Sequence, residues 1–180
     1  MDSEVFREGI FALNTRRFGS VAEVLIKRLV KLGRARNLFH DLFDDVESKR
    51  VEVKFSRALK KSGTLVNEDT VLQCIEAATS EKRSVAWDER EKVAYDCNIQ
   101  QVKRKEFDVL YYGVFFSDSV AIFHIESGDI GPQIFYSDKQ HKGNVGEGQF
   151  HINQDSISVH VDNYFYRRLS YEELYKVLAE

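Results

Sequence analysis

The chain contains a single proline, Pro132, among its 180 residues, and it has neither a low-complexity segment nor an internal repeat. Composition therefore marks no linker or boundary between domains. One compact domain is the usual outcome for a chain of this length, and a hydrophobic content of 43% is enough for a core. We therefore predict a single domain over residues 1–180.

Cysteine is also scarce, since Cys74 and Cys97 are the only two in the chain. Their spacing is not that of a zinc site, and a reducing compartment would keep both as free thiols. No hydrophobic run is long enough to span a membrane, and the N-terminus lacks the basic start and apolar run of a signal peptide. The sequence predicts a cytoplasmic protein with no membrane partner.

The chain has no excess of positive charge, because 26 Lys and Arg face 29 Asp and Glu and the formal net charge is −3. This argues against a protein that coats nucleic acid. It does not exclude an enzyme that acts on DNA, because catalytic carboxylates lower the total charge while local basic patches contact phosphates. Four such basic clusters occur: Arg57 with Lys60 and Lys61, Lys103 to Lys105, Lys139 with His141 and Lys142, and Arg167 with Arg168.

Hydrophobic periodicity predicts helices at 18–33 and 67–79, and Ser170 to Glu173 has the capping-box pattern that opens a final helix. Alternating patterns predict a short strand at 134–136 and three antiparallel hairpins, formed by 38–44 with 50–56, 108–116 with 120–125, and 150–153 with 157–161. This order of elements predicts an α/β or α+β fold with a mixed central sheet flanked by helices.

The most informative stretch is Val-Glu-Val-Lys-Phe-Ser at residues 51–56. A strand alternates its faces, so the two valines and the phenylalanine point into a core while Glu52 and Lys54 project together from the other face. A carboxylate and an ammonium one strand step apart can hold a divalent cation and stabilise the charge of a phosphate. Metal-assisted phosphodiester cleavage requires both. The ordinary alternative is an exposed Glu and Lys on a half-buried strand.

Three aspartates precede this strand, and the predicted hairpin brings their segment beside it. If the turn of this hairpin lies midway between its two strands, residues near Asp41 lie opposite Val53 and Lys54. Asp41 lies in an apolar run, where a carboxylate costs desolvation energy unless it is paired or binds a metal. Asp44 and Asp45 have the ordinary explanation that aspartate is favoured at turns. The pattern leaves the choice among the three aspartates open.

A further acid, Glu23, lies inside the first predicted helix on the same face as Ile26 and Val30. A lone glutamate in a wide apolar helix is often an edge residue whose carboxylate reaches water. The alternative is that Glu23 is a fourth member of the acidic cluster.

Asp41, the Glu52-Val53-Lys54 strand and a preceding helix with Glu23 together resemble the PD-(D/E)XK nuclease superfamily, and most of all its small type II restriction endonucleases. The chain departs from the family pattern in one respect, since no proline precedes any candidate aspartate. The resemblance implies a restriction-endonuclease-like mixed sheet flanked by helices.

The segment from Gln100 to Gly113 is similar to the one that enters the strand after the catalytic hairpin in many such nucleases. Gln100 or Gln101 would then border the same site, although each also fits an ordinary exposed polar position. The resemblance covers about residues 18–125, which are the predicted catalytic core.

The resemblance implies a Mg²⁺-dependent, site-specific endonuclease that hydrolyses phosphodiester bonds of double-stranded DNA. It would act as a homodimer, because cleavage of a palindrome requires two sites related by a twofold axis. Two other functions stay open. A Holliday-junction resolvase or nicking nuclease of the same superfamily would use the same hairpin, and a non-catalytic nucleic-acid-binding domain would carry the Glu and Lys as surface residues.

The resemblance also implies a role for each candidate residue. Asp41 and Glu52 would bind one or two Mg²⁺ ions, with the carbonyl of Val53 as a further oxygen ligand and Mn²⁺ as a substitute metal. Lys54 would orient or deprotonate the attacking water and stabilise the charge that develops on the phosphorus centre. Glu23 would hold a metal-bound water or position Lys54.

Residues 133–165 are the candidate DNA-recognition region, because 137–153 is polar, glycine-rich and dense in side chains that can read base edges. A strand at 150–153 would alternate its polar residues against Phe150 and Ile152. The predicted DNA contacts are Lys139, His141, Lys142, Asn144, Gln149, His151 and Asn153. The alternative is a surface hairpin with no partner.

Overall fold

The structure, a computed structural model, describes residues 2–61, 63–139 and 145–180. Six strands form its central sheet, and two more form a small second sheet. The strands are β1 (Gly33–Arg34), β2 (Leu42–Asp44), β3 (Lys49–Arg57), β4 (Cys97–Val102), β5 (Val109–Phe115), β6 (Ser119–Glu126), β7 (Gly148–Ile152) and β8 (Phe165–Ser170).

The α-helices of the described ranges are α1 (Ser3–Ala12), α2 (Thr15–Val30), α3 (Val71–Glu76), α4 (Ser80–Arg83), α5 (Ile157–Tyr164) and α6 (Tyr171–Ala179). Short 3₁₀ helices occupy Trp87–Glu89, Ser127–Asp129 and Pro132–Ile134. Within the described part of the chain, no helix is both long and apolar enough to cross a lipid bilayer.

The central sheet has the strand order β1-β2-β3-β5-β6-β8. Strands β3 and β5 are parallel, and the other neighbours are antiparallel. Strands β4 and β7 pair with each other in the second sheet. Helices pack around the sheet, so the predicted α+β fold with a mixed central sheet is confirmed.

The two faces of the central sheet cover separate hydrophobic cores. On one face, Val51 and Val53 of β3 pack with buried residues of α1, α2 and α6. On the other face, residues of β5 and β6 pack with β4, β7 and α5. Because side chains alternate along a strand, Glu52 and Lys54 project on the side opposite the two valines, as the pattern predicts.

Helix α2 begins and ends at residues with suitable capping chemistry. The side chain of Asn14 accepts a hydrogen bond from the amide of Arg17, and Lys31 ends the helix in the left-handed conformation with φ 62°. The predicted helix at 18–33 is therefore correct in kind but begins three residues earlier. Gly33, the predicted stop, is instead the first residue of β1.

Two of the three predicted hairpins are present. Strands β5 and β6 pair from Val109 with Glu126 to Phe115 with Val120. Strands β2 and β3 form the other hairpin, although β2 begins only at Leu42. The predicted helix at the end of the chain is also confirmed, since Ser170 and Glu173 form a capping box at the start of α6.

The third predicted hairpin is wrong, because residues 157–164 form a helix rather than a returning strand. Ile157 and His160 are its buried residues, so the three-residue spacing prevails over the apparent alternation. The side chain of Asn153 accepts hydrogen bonds from the amides of Asp155 and Ser156, which forms the turn that leads into α5. Strand β7 pairs instead with β4.

Two further predictions need correction. The strand predicted at 134–136 is a 3₁₀ turn, which Phe135 ends with φ 56°. The helix predicted at 67–79 is confined to Val71–Glu76, because the Asn67 side chain accepts from the amides of Asp69 and Thr70 and holds a tight turn there. The sequence prediction also missed α1, α4, β1, β4 and β8.

Candidate active site

Asp41 lies immediately before β2, beside the charged face of β3. Its carboxylate Oδ2 accepts a hydrogen bond from the amide of Val53 at 2.9 Å, and its own amide donates to the carbonyl of Val51 at 3.1 Å. Leu42 pairs with Val51, so one further step along the ladder brings Asp41 level with Glu52. The predicted position of Asp41 along β3 is thus correct to within about one residue. The hydrogen bond from the backbone of β3 fixes its carboxylate.

Lys54 connects the two carboxylates. Its Nζ donates a hydrogen bond to Oε1 of Glu52 and lies 3.7 Å from Oδ2 of Asp41. The Glu52 side chain is 12% exposed, and those of Lys54 and Asp41 are each 24% exposed. The structure therefore brings Asp41, Glu52 and Lys54 into one partly buried cluster.

Burial and charge shift the protonation equilibria of this cluster. Burial raises the pKa of Glu52 to about 7, because the nearby Lys54 ammonium only partly offsets the desolvation and the Asp41 carboxylate adds to it. Burial acts to lower the pKa of Lys54, but the carboxylates of Glu52 and Asp41 outweigh it and raise that pKa above its ordinary value. Near neutral pH, Lys54 is an ammonium and Glu52 titrates.

Glu23 is half-buried on α2, the helix that packs on β3. Burial raises its pKa, the Asp41 carboxylate raises it further, and Lys54 lowers it. Within the described residues, no hydrogen bond or ion pair joins Glu23 to Asp41, Glu52 or Lys54. Glu23 is therefore close enough to share the electrostatics of the cluster without contacting it.

The other two candidate aspartates have structural partners at the β2–β3 turn. Oδ1 of Asp44 accepts from the amides of Val46 and Glu47 at 2.8 and 2.9 Å. Oδ1 of Asp45 lies 3.0 Å from the guanidinium of Arg36. Neither lines the cavity that contains Glu52 and Lys54. The geometry therefore favours Asp41 as the aspartate that faces the Glu/Lys pair.

An open cavity of about 170 Å³ contains this cluster. Gln101, one of the two glutamines considered from the sequence, enters its wall at a bulge of β4 with φ 56°. Buried His40 also lines the cavity, and both of its ring nitrogens lack a hydrogen-bond partner in the described structure. The remaining lining residues are Leu38, Phe39, Lys103, Glu106 and Glu147.

The sequence prediction missed two acids in this wall, Glu106 and Glu147. Lys103 Nζ lies 3.7 Å from Glu106 and 3.6 Å from Glu147. Glu106 had a usable signal, because it comes just before β5 and parallel strands begin at the same edge of a sheet. Glu147 had none, since the pairing that places it joins β4 to the distant β7.

An ion pair fixes β3 against β5 beside the site. The guanidinium of Arg50 contacts both carboxylate oxygens of Asp108, at 3.0 Å and 2.7 Å, and the backbone amide of Arg50 donates to the same side chain at 2.8 Å. Hydrogen bonds from Arg50 lower the pKa of Asp108 to about 2. The pair holds the start of the charged strand in register with its parallel neighbour.

The donor set fits Mg²⁺ better than a metal bound wholly by protein. In residues 2–61, 63–139 and 145–180, no group of three or more His, Cys, Asp or Glu side chains is arranged to hold a metal ion. Two carboxylates converge instead, and each keeps one oxygen without a hydrogen bond among these residues. Mg²⁺ commonly binds through one or two carboxylates, waters and substrate phosphates. The part predicted for the carbonyl of Val53 stays a prediction.

The residues predicted to contact DNA fall into three groups. Gln149 and His151 project from β7, whereas Asn153 follows the end of that strand and its side chain holds the turn before α5. Lys139 is exposed. His141, Lys142 and Asn144 lie outside the described residues. The predicted row of three polar side chains therefore has only two members on the strand.

Comparison of the chain with protein-family models, with curated proteins and with solved structures finds no match. What the site does is therefore inferred from its own residues.

Proposed function

We propose that this protein is a Mg²⁺-dependent, site-specific endonuclease that hydrolyses phosphodiester bonds of double-stranded DNA, as type II restriction enzymes do. The observation that supports this most is the convergence of Asp41, Glu52 and Lys54 from two adjacent strands at one open cavity. The three residue types and their order along the chain are those of the PD-(D/E)XK nucleases that the sequence resembles.

Each member of the cluster has a chemical role in phosphodiester hydrolysis. Asp41 and Glu52 would hold Mg²⁺, which when bound supplies a Lewis acid for the phosphate and lowers the pKa of the attacking water. Lys54 would orient that water and balance the charge that develops on the phosphate oxygens. Its hydrogen bond to Glu52 keeps it at the site before substrate binds.

The size and polarity of the cavity favour a polymeric substrate. A volume of about 170 Å³ is smaller than the roughly 300–1,000 Å³ that encloses a small-molecule ligand. One phosphate group of a long chain can enter such a space while the rest of the polymer lies across the surface.

Digestion of a phage genome and a supercoiled plasmid tests this function. With Mg²⁺ or Mn²⁺, we expect discrete fragments whose sequenced ends share one motif, and with EDTA we expect none. A linear duplex and a four-way junction are cut in parallel. Cleavage of the junction alone would assign the site to a resolvase, and no cleavage of any substrate with either metal would support a non-catalytic nucleic-acid-binding domain.

We also propose that the protein acts as a homodimer, because symmetric cleavage of both DNA strands needs two copies of the cavity. Its proposed location is the cytoplasm. Light scattering of the protein, alone and with a duplex that contains the cleavage site, measures the number of protein copies in each complex. A strictly monomeric complex that cuts only one strand would favour the nicking alternative.

The pH dependence of cleavage follows from the raised pKa of Glu52. A carboxylate must be ionised to hold Mg²⁺, and with a pKa of about 7 Glu52 is increasingly protonated below neutral pH. At limiting Mg²⁺ we expect the single-turnover rate to fall by about tenfold per pH unit below 7 and to level off above it. More Mg²⁺ should move the midpoint to lower pH, because the metal favours the ionised form.

Glu106→Gln provides the control for this titration. The Glu106 carboxylate contributes to the raised pKa of Glu52, so its removal should move the midpoint to lower pH without abolishing cleavage. A rate that is constant from pH 5.5 to 7 at limiting Mg²⁺ would show that Glu52 does not hold the metal.

A further inference from the structure

The second sheet presents a polar face beside the candidate active site. Strand β4 pairs Asn98 with His151 and Gln100 with Gln149 on β7. The residues that alternate with these four are buried, namely Cys97, Ile99, Phe150 and Ile152. Asn98, Gln100, Gln149 and His151 therefore project outward together, and we name these four residues the amide face.

The amide face lies between two open depressions of the surface. At one end, Gln101 lines the cavity of Glu52 and Lys54. At the other end, Asn98 lines a larger groove of about 720 Å³, whose wall includes Arg57, Lys60, Lys61 and Arg83. One continuous surface therefore runs from the candidate catalytic cavity, over the amide face, to a basic groove.

Three exposed cations of that groove form a cluster that the fold holds in place. The amide of Lys60 donates to the carbonyl of Arg83 at 2.7 Å, which joins the segment after β3 to the end of α4. Among the described residues, no ion pair is formed by Lys60, Lys61 or Arg83. Lys60 comes six positions after Lys54, so the cluster lies within about 20 Å of the cavity, or about six base pairs of duplex DNA.

The amide face has the hydrogen-bonding groups that base recognition requires. Asn98 Nδ2 lies 3.5 Å from Oε1 of Gln149, so the two amides contact each other across the strand pair, and Gln100 beside them is exposed. Asparagine and glutamine carry a donor and an acceptor that match the edge of adenine, and a two-stranded β-ribbon fits the major groove. Oδ1 of Asp96 lies 2.8 Å from Nδ1 of His151, and this hydrogen bond fixes the imidazole at the end of the face.

We infer that the amide face enters the major groove and reads base edges, while Lys60, Lys61 and Arg83 contact the flanking phosphates. This inference rests on the proposed function, since it assumes that the cavity acts on duplex DNA. It adds Asn98 and Gln100 to the specificity-determining residues and excludes Asn153, whose side-chain oxygen is used in a turn.

The test uses the full-length Lys54→Ala protein, which should bind DNA without cutting it, and a randomised duplex library with Mg²⁺. We expect the selected DNA to share one motif. Adding Asn98→Ala and Gln100→Ala should lower affinity for that motif at least about tenfold and leave affinity for random duplex unchanged. The matched control is Asn163→Ala, an exposed amide on α5 whose side chain donates to the carbonyl of Val159 on the same helix.

Lys60→Ala with Lys61→Ala should act differently. Loss of two phosphate contacts should weaken binding to the motif and to random duplex by a similar factor and reduce the salt dependence of both. If instead these lysine changes alter the selected motif, the division of roles between the two surfaces is wrong.

Cleavage by proteins that retain Lys54 separates failure of this inference from failure of the proposed function. If the unsubstituted protein cuts no DNA, the proposed function fails. If it cuts at a motif, and the protein with Asn98→Ala and Gln100→Ala cuts the same motif at the same rate, only the inference fails. Should these changes prevent folding, Asn98→Asp and Gln100→Glu replace them, and they should turn preference from adenine towards cytosine.

Discussion

Replacing Lys54 with alanine should lower the Mg²⁺-dependent cleavage rate by about three orders of magnitude while changing DNA affinity less than about threefold. The ammonium of Lys54 contacts both Glu52 and Asp41. Loss of a group that activates the nucleophile or stabilises the transition-state charge costs about 10²–10⁴ in rate. Single-turnover cleavage of a cognate duplex and a mobility-shift titration measure the two quantities.

Lys176→Ala is the matched control for this change. Lys176 is an exposed lysine on α6, which packs on the face of the sheet that carries Val51 and Val53. The Lys176→Ala protein should cut DNA at the same rate as the unsubstituted protein. A purified Lys54→Ala protein that cuts plasmid at the parental rate would falsify the catalytic assignment of Lys54.

Replacing Asp41 with asparagine should also lower cleavage by about three orders of magnitude, whereas Asp45→Asn should leave the rate within about threefold. Asparagine keeps an oxygen that can accept from the amide of Val53, so the local fold is preserved while the charge that would hold Mg²⁺ is lost. Cleavage rates over a range of Mg²⁺ concentrations, together with thermal melting curves, separate loss of the metal from loss of the fold.

Asp44→Ala completes the comparison of the three aspartates. Its carboxylate accepts two amides at the β2–β3 turn, so its removal should destabilise the fold by about 1 kcal/mol and leave the cleavage rate of the folded protein intact. If the Asp41→Asn protein were active and the Asp45→Asn protein inactive, the metal ligand would be Asp45 at the turn and not Asp41.

The parts of the site that could be predicted from the sequence depend on local periodicity. Glu52 and Lys54 share a face because side chains alternate along β3, and this needs no knowledge of the partner strands. Predicting which residue of β3 lies opposite Asp41 also requires the register of the β2–β3 hairpin. The sequence pattern determines that register only to within about one residue.

Residues joined by long-range pairing could not be predicted. Strand β7 pairs with β4 from about fifty positions earlier in the chain, and no local pattern indicates that partner. As a result Asn98 was missed as a member of the polar face, and Glu147 as a wall of the cavity. The helix at 157–164 was missed because its apolar residues fit a period of two as well as a helical one.

The parallel pairing of β3 with β5 has a consequence during synthesis of the chain. Asp41, Glu52 and Lys54 leave the ribosome early, but the strand that flanks β3 ends only at Phe115, and the cavity wall extends to Glu147. Pairing between such distant segments forms late in folding. A nascent or truncated chain would carry the charged side chains without the scaffold that aligns them, so the proposed activity would arise only after most of the protein had been made.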